Sequence, residues 1–300
     1  MYRSVFLFGY AALVCLLPGT LAAPAPPKSD LNKRWHTINP SVGGPQFWPD
    51  HKLKYKFKDD DSKEKLKDIV KAGWKLWTDA GLDKNKIDLV ETSDGDDNEV
   101  LTIQVTGDPK AVTRVGFSGG ARMIFGASDD YGLLDKNANM AHELGHALGF
   151  YHEHQRPDRN NHVVFNCKNL QDYSEDKEKQ GFCTDMHVAA SEGWSSVEFI
   201  ALAPSDQCSL SDAYDEDSIM HYPGGAGGKK AFLGLGHRDT VLGTKADPNT
   251  SFKKNMKPSS ADIDRANAMY AGGNQKRAGG CFPEDDQKNA EEKAEDRDDD

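Results

Sequence analysis

The chain has 300 residues, 37% of them hydrophobic and 28% charged, and carries a formal net charge of −11. This composition supports one sizeable folded core in two lobes and excludes a fibrous or wholly disordered chain. The negative balance argues against nucleic-acid binding through a basic face, and no stretch beyond the N-terminal segment is apolar for the 18 residues a membrane span needs.

Residues 1–22 read as a secretory signal peptide. Met1-Tyr2-Arg3 is a short positive start, Val5 to Leu17 is largely apolar, and small residues surround a cleavage point after Ala22. A secreted, extracellular protein is therefore predicted. Residues 23–34 contain Pro24, Pro26 and Pro27 and end in the dibasic pair Lys33-Arg34. They read as an extended linker whose dibasic pair is either the end of a short pro-segment or two solvated basic residues. The folded body is predicted over 35–283, with lobes at about 35–149 and 150–283. Residues 284–300 hold ten acids and three bases. Such a tail buries too little apolar surface to order itself and is predicted to be disordered.

Within the body, Ser62 is a candidate N-cap for a helix over 63–80. Leu66, Ile69, Val70, Trp74 and Trp77 fall on one face of it. Strands are predicted over 86–90, 100–105 and from Ala121 to Ala127. The polar run Ser93-Asp94-Gly95-Asp96-Asp97-Asn98 reads as a solvated turn. A helix over 137–148 stops at Gly149. Glycines at 224–228 read as a surface loop. Ser259 with Asp262 resembles a capping box, opening a helix whose face carries Ile263, Ala266, Met269 and Tyr270 and which Gly272-Gly273 closes.

Cys15 leaves with the signal. Cys167, Cys183, Cys208 and Cys281 remain, an even set in an oxidising compartment. Three pairings are open. The preferred one joins Cys167 to Cys183, closing a local loop, and Cys208 to Cys281, tying the C-terminus back. Asn249-Thr250-Ser251 is an acceptor site for N-glycosylation at Asn249.

Residues 142–152 read His-Glu-Leu-Gly-His-Ala-Leu-Gly-Phe-Tyr-His. His142 and His146 are four apart, so they share a helix face one turn apart and can hold one metal ion. Glu143 flanks that position without ligating. Gly149 can take positive φ and turn the chain back, bringing His152 to the same metal. Three neutral histidines with an open fourth position describe a catalytic rather than a structural Zn2+ site. Glu143 then takes a proton from water activated by the metal. This pattern is the metzincin signature, which also requires a methionine turn further on. Ser218-Ile219-Met220-His221-Tyr222 supplies it, with Met220 as an apolar floor under the imidazoles.

The extended run from His142 through His152-Glu153-His154-Gln155-Arg156-Pro157-Asp158-Arg159, together with Ser-Ile-Met-His-Tyr at 218–222 and Trp48-Pro49 with Tyr55, resembles the astacin family of secreted zinc endopeptidases. Asn160 stands where the family has an acid. The resemblance implies an α+β, two-lobed metzincin-like peptidase. Its N-terminal lobe would hold a twisted, mixed five-stranded sheet and helices, and its irregular C-terminal lobe would end in a helix. The resemblance also implies roles: His142, His146 and His152 as zinc ligands, Glu143 as general base and proton shuttle, and Tyr222 as a further zinc ligand that helps hold the oxyanion. Glu153 would be structural, beneath the site. Substrates would be proteins or peptides bound extended along an edge strand near Ala121 to Ala127, cleaved by a monomer with no nucleic-acid or membrane partner. An acidic residue after the cut would meet Lys229, Lys230, Arg238 or Lys245. The alternative is a catalytically weak metzincin-like binding module, whose hallmark would be loss of Glu143 or of a histidine. None is lost.

Overall fold

A computed structural model describes residues 37–38, 45–93, 95–203, 208–209, 213–230 and 238–271. The predicted signal, pro-segment, tail, Gly272-Gly273 and the Cys208–Cys281 pairing lie outside the described residues or depend on side chains that do.

The first half is a layered α/β arrangement. Strand β1 (Thr37–Ile38) precedes β2 (Lys52–Phe57), helix α1 (Asp60–Asp79), β3 (Asp88–Glu91), β4 (Leu101–Thr106), β5 (Ala111–Thr113), β6 (Arg122–Gly126) and helix α2 (Lys136–Leu148). The sheet order is β3-β2-β4-β6-β5, parallel except for β5, which runs antiparallel to β6. Leu53, Tyr55, Leu101, Ile103, Met123 and Phe125 alternate onto the face that α1 and α2 cover. The two helices approach closely at Gly73, where a Cβ would lie 2.6 Å from Met140 Cγ. Trp77 Nε1 donates to Ala141 O at 2.8 Å, so the second tryptophan of the predicted apolar face also anchors α2.

Three expectations are corrected here. The N-cap of α1 is Asp59, whose side chain accepts from Ser62 N. Ser62 is instead fully buried, and its hydroxyl accepts from Val105 N, stitching α1 to β4. The strand from Ala121 to Ala127 forms as β6, but it is not an edge. It pairs with β4 on one side and β5 on the other, and β5 is the edge strand on that side of the sheet. The short β5 escapes a periodicity reading because three residues are too few to show alternation. Finally, glycines 224–228 form a close-packed turn rather than a free surface loop. A Cβ on Gly224 would lie 2.5 Å from Leu242 O, and one on Gly228 2.3 Å from Asp239 O.

The second half is irregular. It holds β7 (Val163–Phe165), α3 (Glu175–Lys179), α4 (Met186–Ser191), β8 (Cys208–Ser209), β9 (Leu242–Thr244) and α5 (Ser260–Met269). Short antiparallel pairs join β7 to β9 and β1 to β8. The expected disulfide Cys167–Cys183 is present, and Asn249 is exposed. The expected capping box opens α5, with Ser259 and Asp262 bonding reciprocally. Ile263, Ala266 and Met269 of α5 pack into the first core rather than the second. Among the described residues no helix is long and apolar enough to cross a membrane.

Candidate active site

The site is built on α2. Asp135 caps its N-terminus, accepting from Asn137 N and Ala138 N at 2.9 Å each. Gly149 ends it at φ 112°, a left-handed conformation that costs glycine no Cβ clash. The sharp exit returns His152 against the helix, as the spacing predicts.

His142, His146 and His152 are buried together. The Nε2 atom of His152 lies 3.2 Å from that of His142 and 3.1 Å from that of His146. Four-coordinate zinc with Zn–N bonds of about 2.0–2.1 Å separates its ligand nitrogens by about 3.3 Å, so this spacing fits. The hydrogens fit too. His142 Nδ1 bonds Ile219 O at 2.8 Å, and His146 Nδ1 bonds Phe150 O at 2.9 Å. A carbonyl can only accept, so both Nδ1 atoms carry the proton and both Nε2 lone pairs face inward. Burial holds His142 near a pKa of about 4 and His146 near about 3, and it pushes His152 well below its ordinary value. The three rings are neutral donors converging on one point, the donor set zinc takes.

Glu143 stands on the same helix, one residue from His142. Burial raises its carboxyl to about 8, and the neighbouring Thr113 hydroxyl of β5 opposes that rise. Neither Glu143 Oε2 nor Thr113 Oγ1 reaches a well-formed hydrogen bond, so an acceptor oxygen is left buried beside the histidines. Met220 packs against the same helix, its sulfur 2.5 Å from where a Cβ on Gly145 would sit. Glu153 is buried and accepts from Arg156, Arg265 and Asp215 N.

Tyr222 is in the site. Its ring centroid is 4.4 Å from that of His152 and 5.8 Å from that of His142, and its hydroxyl donates to Glu198 Oε2 at 3.4 Å. Burial and Glu198 raise the phenol well above its usual range. His154 packs beside both rings, 5.0 Å from His152 and 4.3 Å from Tyr222 between centroids, and accepts from Tyr222 N at 3.2 Å. The sequence reading assigned no role to His154, Gln155 or Glu198. His154 and Gln155 lie within the quoted motif, but Glu198 comes from a segment with no motif at all.

A small, largely apolar pocket beside the histidines is lined by Gly132, Leu133, Asn139, His142, Tyr222, Pro223 and Ala226. None of the cations expected to receive an acidic side chain lines it. Lys229 donates to Lys168 O and lies over the Tyr173 ring.

The chain is similar to known proteins. The family profile "Astacin (Peptidase family M12A)" covers residues 43–189. Over those residues, just under half of the chain, it resembles the astacin family. It is 30% identical over 186 residues to tolloid-like protein 1 of Homo sapiens, covering 61% of this chain and 15% of that one. It is 32% identical over 136 residues to the low choriolytic enzyme of Oryzias latipes, covering 45% of this chain and 38% of that one. The chain thus spans well under two thirds of these astacin relatives. Its fold is similar to high choriolytic enzyme 1, a hatching enzyme zinc-protease of Oryzias latipes, with a TM-score of 0.52, 20% identity, and coverage of 75% and 94% of the two chains.

Proposed function

We propose that this chain is an astacin, a secreted zinc metalloendopeptidase that hydrolyses peptide bonds in proteins. The observation that carries the reading is the convergence of three Nε2 lone pairs beside the buried, unpartnered Glu143 carboxyl oxygen. His142, His146 and His152 would hold the metal. Bound zinc supplies Lewis acidity, which polarises a peptide carbonyl and makes water nucleophilic near neutral pH.

The chain's own groups do the rest. Glu143 accepts the proton of the attacking water and passes it to the departing amine. Tyr222, leaving Glu198, offers its hydroxyl to the oxyanion. The substrate lies extended along β5. Gly126 N donates to Lys110 O and Arg114 N to Arg122 O, so the even-numbered residues face β6. Ala111 and Thr113 therefore turn their main-chain groups away from β6, to the side on which a peptide would add as a strand. Exposed Asn249 would carry a glycan on the secretory route.

The test uses a denatured protein substrate. The metal-depleted enzyme is expected to be inactive and to recover with zinc. Glu143→Ala is expected to bind zinc and to lose activity by at least about 100-fold. Equal cleavage by Glu143→Ala and wild type would overturn the reading and favour a binding module of the same fold.

A further inference from the structure

Each imidazole in such a cluster needs its second nitrogen anchored, because that hydrogen bond sets both ring orientation and tautomer. For His142 and His146 the anchor is a main-chain carbonyl. For His152 it is a side chain: Nδ1 lies 2.8 Å from Gln155 Oε1. The amide is not free to flip. Gln155 Nε2 donates to Val197 O at 2.9 Å and to Ile200 O at 3.2 Å, and a flipped amide would set its oxygen against two carbonyl oxygens. The oxygen therefore faces His152, so Nδ1 carries the hydrogen and Nε2 keeps its lone pair. A competing acceptor is near, since Glu198 Oε2 is 3.9 Å from His152 Nδ1, but that oxygen takes the Tyr222 hydroxyl.

We propose that Gln155 is the positioning residue for His152: it fixes the tautomer and ring orientation of this histidine and keeps Glu198 for Tyr222. The inference rests on the reading of His152 as a zinc ligand. It also makes the third histidine the one member of the cluster whose anchor can be changed without moving the backbone.

The test is zinc affinity of the full chain, measured by competition with a chromophoric chelator. Gln155→Leu removes both ends of the amide and is expected to bind zinc about 10- to 100-fold more weakly, with altered visible bands in the cobalt-loaded protein. Gln155→Glu keeps an acceptor oxygen at the same reach but sets its other oxygen against the Val197 and Ile200 carbonyls, so it is expected to bind zinc more weakly than wild type yet more tightly than Gln155→Leu. Zinc binding by Gln155→Leu within about twofold of wild type would overturn the proposal, as would a Glu variant as weak as the Leu variant. If Gln155→Leu does not fold, nitrogen-15 histidine spectra of the zinc-loaded wild type decide. His152 bound through Nε2, with a slowly exchanging Nδ1 hydrogen, supports the proposal. Binding through Nδ1, or a rapidly exchanging hydrogen there, overturns it. Wild type that takes up no zinc at His152 would instead refute the ligand assignment itself.

Discussion

Arg265 on the C-terminal helix donates through Nη1 to Glu153 Oε2 at 2.9 Å, and Glu153 is the residue after the third histidine of the cluster. Both side chains are buried. Glu153 N in turn donates to Met220 O at 3.1 Å. The last helix, the methionine turn and the histidine segment are thus one connected polar structure inside the protein. Breaking a buried ion pair by removing one partner leaves the other charge uncompensated, at a cost of about 3–5 kcal/mol. Arg156 still reaches Glu153, so Arg265→Met is expected at the lower end, about 3 kcal/mol less stable by denaturant unfolding. A loss below about 1 kcal/mol would show that Arg156 alone satisfies the carboxylate.

Gly145 predicts a different kind of failure. A Cβ there would meet Met220 Sδ at 2.5 Å and the Trp77 ring at 3.1 Å. Gly145→Ala forces the methionine away from the helix and is expected to cost about 1–3 kcal/mol, as overpacking does. Met220→Ala opens the space, so the double variant is expected to be more stable than the two single losses added together. Strict additivity of the two losses would mean that the helix and the methionine turn do not touch in solution.

What the sequence makes legible follows from spacing. Histidines four apart, a glycine three residues on and a third histidine are local facts, and α2, its end at Gly149 and the cluster follow from them. The capping box at Ser259 and Asp262 is equally local. Its further use is not: Asp262 also accepts from Ser218 Oγ at 2.7 Å and from Ile219 N at 2.9 Å, which ties α5 to the methionine turn. Glu198 and Thr113 reach the site only through the tertiary fold, from a motif-free segment and a three-residue strand, so nothing in their neighbours along the chain announces them. The same holds for β6, whose sequence shows a strand but cannot show that both of its edges are taken.

The disulfide Cys167–Cys183 spans 16 residues and belongs to the second core, which is built from short elements. Cross-linking a loop of that length is worth about 3 kcal/mol in the chain-entropy account. The double variant Cys167→Ala/Cys183→Ala is expected to lose about that much by thermal unfolding while keeping wild-type zinc affinity. A loss of zinc affinity of tenfold or more would mean that the bridge also holds the histidine cluster in place.

His221 offers a pH test away from the three clustered histidines. Burial lowers its pKa from 6.5 to about 4, against a hydrogen bond from its Nδ1 to Tyr222 O that acts the other way. The folded protein keeps this ring neutral, so its contribution is fully present above pH 6.5. As the pH falls from 6.5 towards about 4, the unfolded chain takes up a proton that the fold refuses, and that contribution is lost. Each pH unit in the window is worth about 1.4 kcal/mol. Its neighbours are rings, with Phe252 at 4.4 Å between centroids and His154 and Tyr214 at 5.7 Å, so phenylalanine fits the site. His221→Phe loses the bond to Tyr222 O at every pH, which shifts its stability by a constant. The difference between wild type and variant, measured on the metal-free protein, is therefore expected to move in favour of the variant by about 3 kcal/mol between pH 7.5 and pH 4. A difference that stays constant over that range would show that the folded protein protonates His221 as readily as the unfolded chain does.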